Sequence, residues 1–248
     1  MFITHLKQKG DCGNDDDSDA DEWVSINVAK GDAVPTSAEG YHGIVITGSR
    51  FNVRDRADLP WFEPLCDLVR HASTHGAPNV YGGCFGTQLI AHALGGEVDY
   101  NPGTRFVLKA ETVTLEREAF REVLGDGVDN DDSDGSDDGA GPLKLIVSHG
   151  DCVKTLPATA CTVLLGHSPS CAHEMYAAGE VKPNIIGVQS HPEFDYEYAI
   201  TARIWKAVVE TKKRLNEAEE EDARESFASY TDKDARWLLQ RVAKFLRG

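Results

Sequence analysis

The apolar positions of the chain fall into two rhythms. Short continuous runs bounded by Gly or Pro occupy 23–28, 43–47, 79–82, 143–148, 162–166 and 185–189, and such runs read as strands buried on both faces of a parallel sheet. Between them the spacing turns helical. Trp61, Leu65, Leu68, Val69 and Ala72 share one helix face, and a second helix is predicted over 85–94, stopped by Gly95-Gly96. Over 105–115, Phe106, Leu108, Ala110, Val113 and Leu115 mark an alternating strand, predicting an antiparallel edge or accessory ribbon. The tail holds amphipathic segments at 198–215 and 232–246, joined by the charged stretch 216–225. The alternation predicts an α/β fold: an open, mostly parallel sheet flanked by helices, flavodoxin-like, with a small antiparallel accessory ribbon. Only residues 1–6 precede the first acidic tract, so the first strand–helix unit is expected to be short or missing.

Composition narrows this picture. With 248 residues, 41% of them hydrophobic, one domain over 1–248 is expected, ending in a helical tail over 196–248. No run approaches the roughly 20 apolar residues of a membrane span, and the first residues lack a signal-peptide layout. The expectation is a soluble, cytoplasmic protein. Six cysteines, at 12, 66, 84, 152, 161 and 171, form no C-x-x-C pair, which suits a reducing compartment. The net charge of −16 is concentrated: 14–22 and 126–138 together hold thirteen acids and no Lys or Arg. These Asp-, Ser- and Gly-rich tracts are expected to be flexible insertions, at 11–22 and 125–141. The remainder is nearly balanced and has no basic stripe, which argues against nucleic acid as a partner. Asn130, Asp132, Asp134 and Gly135 fall on the opening positions of a calcium loop, but Gly141 stands where the bidentate Glu is needed.

The chemistry concentrates at three strand ends. In Gly82-Gly83-Cys84-Phe85-Gly86 an apolar strand meets G-x-C-x-G and then a helix, the layout of a nucleophile elbow with Cys in the Ser position. Cys84 then sits at a helix N-terminus, where free N–H groups and the helix dipole favour a thiolate. The same groups, Phe85 foremost, can hold an oxyanion. A second oxyanion donor is expected from Gly48-Ser49, after the strand at 43–47, because sites in open parallel sheets gather at strand carboxyl ends. The base is expected at His191: the run 185–189 leads into Ser190-His191-Pro192-Glu193, and alternate side chains of an extended segment share a face. Glu193 would orient His191, completing a triad. An acid two positions beyond the histidine departs from the α/β-hydrolase order.

Gly83-Cys84-Phe85-Gly86-Thr87-Gln88 and His191-Pro192-Glu193, in that order, resemble a class I glutamine amidotransferase domain over about residues 23–198. Gly48-Ser49 resembles the oxyanion loop of that family, and Ser148-His149-Gly150-Asp151 a segment of the amidotransferase half of GMP synthase. The resemblance implies a γ-glutamyl thioester on Cys84, proton transfer by His191, orientation by Glu193, and Gln88 helping to position substrate. It implies a small-molecule γ-glutamyl substrate and no cofactor, and it is compatible with a separate synthetase subunit that accepts ammonia. Gly83 replaces the usual Ile or Val, and Thr87 stands where His or Met is common. A Gly-Ser loop, Pro60-Trp61 and H-P-E together also resemble γ-glutamyl peptidases.

Blander readings stand beside these. Cys84 as a packing thiol would not need flanking glycines. Asp195 shares a face with Glu193 and is an alternative acid. His149 and Asp151 read as a loop after the strand at 143–148, and His167, His173 and Glu174 lack zinc-ligand spacing, so no metal is assigned. A catalytically weak regulatory or interaction protein keeping the same fold is the alternative of another class.

Overall fold

The computed structural model describes residues 3–7, 22–38, 40–125, 141–194, 196 and 203–248. Nearly all of both acidic tracts, including the calcium-loop positions before Gly141, and Asp195 lie outside these residues. Eleven strands are described: β1 Ile3–Lys7, β2 Glu22–Ile26, β3 Tyr41–Ile46, β4 Asn79–Gly83, β5 Glu97–Tyr100, β6 Val107–Leu115, β7 Leu143–His149, β8 Asp151–Thr155, β9 Val163–His167, β10 Met175–Ala178 and β11 Ile185–Val188. The helices are α1 Phe62–His75, α2 Phe85–Ala93, α3 Arg117–Leu124, α4 Glu217–Ala228 and α5 Lys233–Arg247, with a π-helical segment at Lys206–Thr211.

Nine strands form one sheet in the order β2-β1-β3-β4-β11-β10-β9-β6-β7, and β5 and β8 form a separate antiparallel ribbon. Parallel pairing is confined to β3-β4-β11. That is where α1 supplies the crossover that parallel neighbours require. The remaining pairs are antiparallel, so the α/β sheet is mixed rather than mostly parallel.

The central strands carry continuous apolar runs because both their faces are covered. Ile44, Ile46, Val80 and Ile185 pack under α1 and α2. The alternating Tyr81, Ile186 and Val188 pack on the other face against Ala235, Leu238, Val242 and Leu246 of α5. The register pairs Ile46 with Gly82 and Gly83 with Val188, so three strand ends open on one edge.

Several sequence expectations need correction. The alternating strand β6 belongs to the main sheet, between β9 and β7, and the ribbon is built from β5 and β8 instead. The first strand–helix unit is short, as expected: β1 is present and pairs antiparallel with both β2 and β3, and between β1 and β3 the described residues hold only a 3-10 turn at Val28–Lys30 and no α-helix. The charged stretch 216–225 is not a linker but lies almost wholly in α4. Its start is a capping box in which Asn216 Oδ1 accepts from the Glu219 N–H at 3.0 Å and Glu219 Oε2 accepts from the Asn216 N–H at 2.9 Å. Ala223 and Phe227 bury its apolar face with Leu108, Ala110 and Ile146 of β6 and β7.

Candidate active site

Cys84 follows the last residue of β4 and precedes the first of α2, with φ 48° and ψ −105°. A non-glycine residue at positive φ costs of order 1 kcal/mol or more and persists only where its surroundings enforce it. The flanking glycines do so. A Cβ at Gly82 would collide with Ile90 Cδ1, and one at Gly86 with the Ile46 carbonyl oxygen. At Gly83 a Cβ would meet nothing nearer than Tyr81 Oη at 3.4 Å, so this glycine is not required by the turn.

The Cys84 N–H donates to Val188 O at 2.8 Å and is thereby spent on joining the elbow to β11. The Phe85 N–H, at the first position of α2, has no carbonyl within the helix to bind. Gly48 lies in the loop after β3. A Cβ there would stand 3.1 Å from His191 Cε1 and 3.5 Å from Cys84 Cβ, so a side chain would press on the His191 ring. Ser49 Oγ accepts the Phe51 N–H at 3.2 Å, shaping the same loop.

His191 is 6% exposed, and its position is fixed from three sides. Its N–H donates to Ile146 O at 2.7 Å, its ring stacks on Phe194 at 4.0 Å between centroids, and its Nδ1 lies 2.7 Å from Glu193 Oε1. With Nδ1 facing Glu193, Nε2 is left for the Cys84 side of the cleft, while the thiol itself donates to the Ser148 carbonyl oxygen at 3.9 Å. Burial opposes the imidazolium. The charges of Cys84 and Glu193 and the hydrogen bond to Glu193 override that penalty, and the pKa of His191 is raised well above the ordinary value.

His149 lines the same cleft, at the end of β7, but its situation is opposite. It is 3% exposed, with Nδ1 at 2.9 Å from Asn101 Oδ1 and 3.1 Å from Asp151 O, and no carboxylate on its ring. Burial pushes its pKa down to about 3, with His191 adding repulsion. The expected loop at His149-Gly150-Asp151 is a one-residue link between β7 and β8. Among the described residues no group of three His, Cys, Asp or Glu side chains is placed to hold a metal.

Gln88 lines the cleft, yet its Nε2 donates inward to Asp151 O at 2.8 Å and Gln189 Oε1 at 3.1 Å. Its amide donor is thereby engaged in holding β8 to the end of β11. Two supports had no local sequence signal. Glu174, fully buried, accepts the Ser190 N–H at 2.7 Å and the Ser168 hydroxyl at 3.2 Å, holding the segment that delivers His191. Its pKa is pushed up by burial to about 7. Arg54 reaches Asp151 at 3.0 Å from a 3-10 helix 97 residues away and lies over the Tyr100 ring.

Cys84, His191, Glu193, Gly48, Ser49, Phe85 and Gln88 all line one cleft of about 430 Å³. It extends past the thiol to Arg50, Lys212 and Arg214 and to the aromatic walls Phe51, Phe106 and Phe194. No residue of the tail had been connected with it in the sequence, because Lys212 and Arg214 reach it only through the path of the π-helical segment.

The glutamine amidotransferase class-I family matches residues 22–204. Gamma-glutamyl peptidase 4 of Arabidopsis thaliana is 31% identical over 71% of this chain and 64% of its own length. Gamma-glutamyl peptidase 3 of the same plant is 29% identical over 93% of this chain and 84% of its own. A GMP synthase (glutamine-hydrolyzing) of Neisseria meningitidis is 36% identical over 61% of this chain, which spans only 24% of that relative. Among solved structures, a glutamine amidotransferase from Thermotoga maritima superposes with a TM-score of 0.64 at 17% identity, covering 90% of this chain and 86% of the other. One from Methylobacillus flagellatus gives the same score at 22% identity, covering 88% and 82%. At these identities the two structures speak for the fold.

Proposed function

Because the chain belongs to the class I glutamine amidotransferase family, we propose that it cleaves γ-glutamyl amides through a thioester on Cys84. The Cys84 thiolate attacks the γ-carbonyl carbon, and the oxygen gathers charge toward the N–H groups of Phe85 and the Gly48-Ser49 loop. His191, held by Glu193, gives its proton to the leaving nitrogen as the C–N bond breaks. Neutral His191 then takes a proton from water, which attacks the thioester, and glutamate leaves as the thiolate re-forms. One observation carries this reading: a cysteine on a strained turn shares one cleft with a histidine whose Nδ1 is 2.7 Å from a carboxylate. The test compares wild type with Cys84→Ala on L-glutamine and on glutathione, following released glutamate. Release by wild type alone is expected; equal release from both proteins, or none from either, would sink the proposal, the latter in favour of a non-catalytic protein keeping the fold.

A second observation favours a γ-glutamyl peptide over free glutamine. The cleft continues beyond the thiol to Arg50, Lys212 and Arg214 beside Phe106 and Phe194, which would receive a peptide carboxylate and an apolar substituent. Loss of one charge-assisted bond costs about 1.5–3 kcal/mol, roughly 10- to 100-fold. Arg214→Ala should accordingly lower kcat/KM for glutathione conjugates while leaving glutamine hydrolysis unchanged. If glutamine is preferred, a separate synthetase subunit becomes the natural acceptor of the ammonia.

A further inference from the structure

A second cavity of about 390 Å³ lies behind the site. Val45, Tyr81, Gly83, Leu239, Val242 and Leu246 form its walls, and Trp23, 49% exposed, stands at its rim. Thr47, Gly48 and Glu193 line it as well as the cleft, so the two spaces meet at the acid that bonds His191. Its size is that of a small-molecule site, and its walls are apolar with few polar groups. We propose that this cavity binds a neutral, largely apolar small molecule carrying one hydroxyl, which is anchored by Tyr81 and Glu193.

Two observations select that chemistry. Tyr81 is 6% exposed, yet its hydroxyl has no hydrogen-bond partner among the described residues, and it projects over Gly83 at the cavity wall. A buried hydroxyl without a partner carries a desolvation penalty that a ligand oxygen would remove. The second is the carboxylate. Glu193 gives Oε1 to His191, and it raises the pKa of Tyr81, after burial itself the largest cause. Beside Glu193 an anionic group would be repelled, whereas a hydroxyl can donate to Glu193 and accept from Tyr81; among the described residues, Arg247 is the one cation of the lining. The space exists because residue 83 has no side chain. Its strand position points toward Tyr81 and α5, and the turn at Cys84 does not demand glycine there. Filling position 83 is thus a way to close the cavity without rebuilding the elbow.

The probe is 2-naphthol, a flat apolar body with one hydroxyl, followed by methyl NMR of the full chain. Saturable shifts of the Val45, Leu239, Val242 and Leu246 methyls, with a Kd below about 1 mM, are expected. Gly83→Val should weaken binding at least about tenfold, and Tyr81→Phe about fivefold, the worth of one neutral hydrogen bond. Should Gly83→Val fail to fold, as judged by the Leu65 and Leu89 methyls on the opposite face, Tyr81→Phe and Val242→Phe decide. No saturable shift, shifts on Ile204 and Val208 of the cleft instead, or equal affinity in the variants would each overturn the proposal. The effect on turnover rests on the reading of Glu193 above: bound 2-naphthol should lower kcat without raising KM. Binding is read by NMR alone, so an inactive enzyme would leave that part of the proposal standing.

Discussion

Two histidines stand at two strand ends on the same cleft, and the chain has driven them apart. His191 leaves β11 onto a loop where the Glu193 carboxylate meets its Nδ1 and the charge of Cys84 adds to it, and its pKa is raised well above the ordinary value. His149 ends β7 among a carbonyl, an amide and a hydroxyl, and its pKa is lowered to about 3. Both are buried, so burial alone would discharge both. The difference lies in the partners: Glu193 and Cys84 offset the desolvation of His191, and among the described residues no acid does so for His149. One histidine is thereby suited to move protons and the other to hold Asn101 and the β8 turn in place.

The strongest way to break this contrast is to remove each ring. His191→Ala should lower kcat by ~10³-fold or more, as loss of a triad base does. His149→Asn, assayed alongside, should cost less than the roughly 10²-fold expected of an acid–base group. Equal losses would erase the distinction.

Next in size is the carboxylate. Glu193→Gln should reduce kcat/KM by about 10²-fold, less than the ~10⁴ of a deeply buried triad acid, because the Glu193 side chain is 46% exposed. It also predicts a shift in the pH profile. The Glu193 charge helps hold the proton on His191 to higher pH, so its removal should move the alkaline limb of kcat/KM downward. An unmoved limb would mean that Glu193 is a bystander. Gly48→Ala should cost roughly tenfold in kcat, since its methyl would press on His191 Cε1 from 3.1 Å.

The smallest effects are on stability, and they carry opposite signs. His149 is neutral in the fold at a pH where the unfolded chain binds a proton; its contribution is present above about 6.5 and is lost as pH falls toward about 3. Glu174, with its pKa raised from 4.5 to about 7, behaves conversely: its contribution is present below 4.5 and is lost as pH rises through 7. Each slope approaches ~1.4 kcal/mol per pH unit. Urea unfolding from pH 4 to 8 should lose its acid-side decline in His149→Asn and its alkaline-side decline in Glu174→Gln, which keeps an acceptor for Ser190.

The sequence made the elbow legible because its requirements are local: Gly82 and Gly86 clear the turn at Cys84, and a two-residue spacing puts Glu193 on His191. The apolar runs marked strands but not their direction: 43–47, 79–82 and 185–189 form the parallel centre, whereas 23–28, 143–148 and 162–166, read the same way, pair antiparallel. What escaped depends on distant partners. No pattern near Arg54 announces Asp151, none near Glu174 announces Ser190, and the tail cations come to the cleft only by the path of the whole chain. Gln88 matched a motif, but the engagement of its amide with Asp151 and Gln189 needed the fold. The helix at 216–225 has a local signature in the capping-box pair Asn216 and Glu219, set within a run of charge that by itself reads as a joining stretch.

The central claim, a thiolate at Cys84 activated by His191 for γ-glutamyl carbonyls, is tested most directly by 6-diazo-5-oxo-L-norleucine, a glutamine-shaped electrophile, with intact-mass and peptide analysis at neutral pH. One adduct, on Cys84, is expected in the wild type, formed far more slowly in His191→Ala and absent from Cys84→Ala. No adduct, or an adduct on another cysteine with Cys84 untouched, would contradict the account.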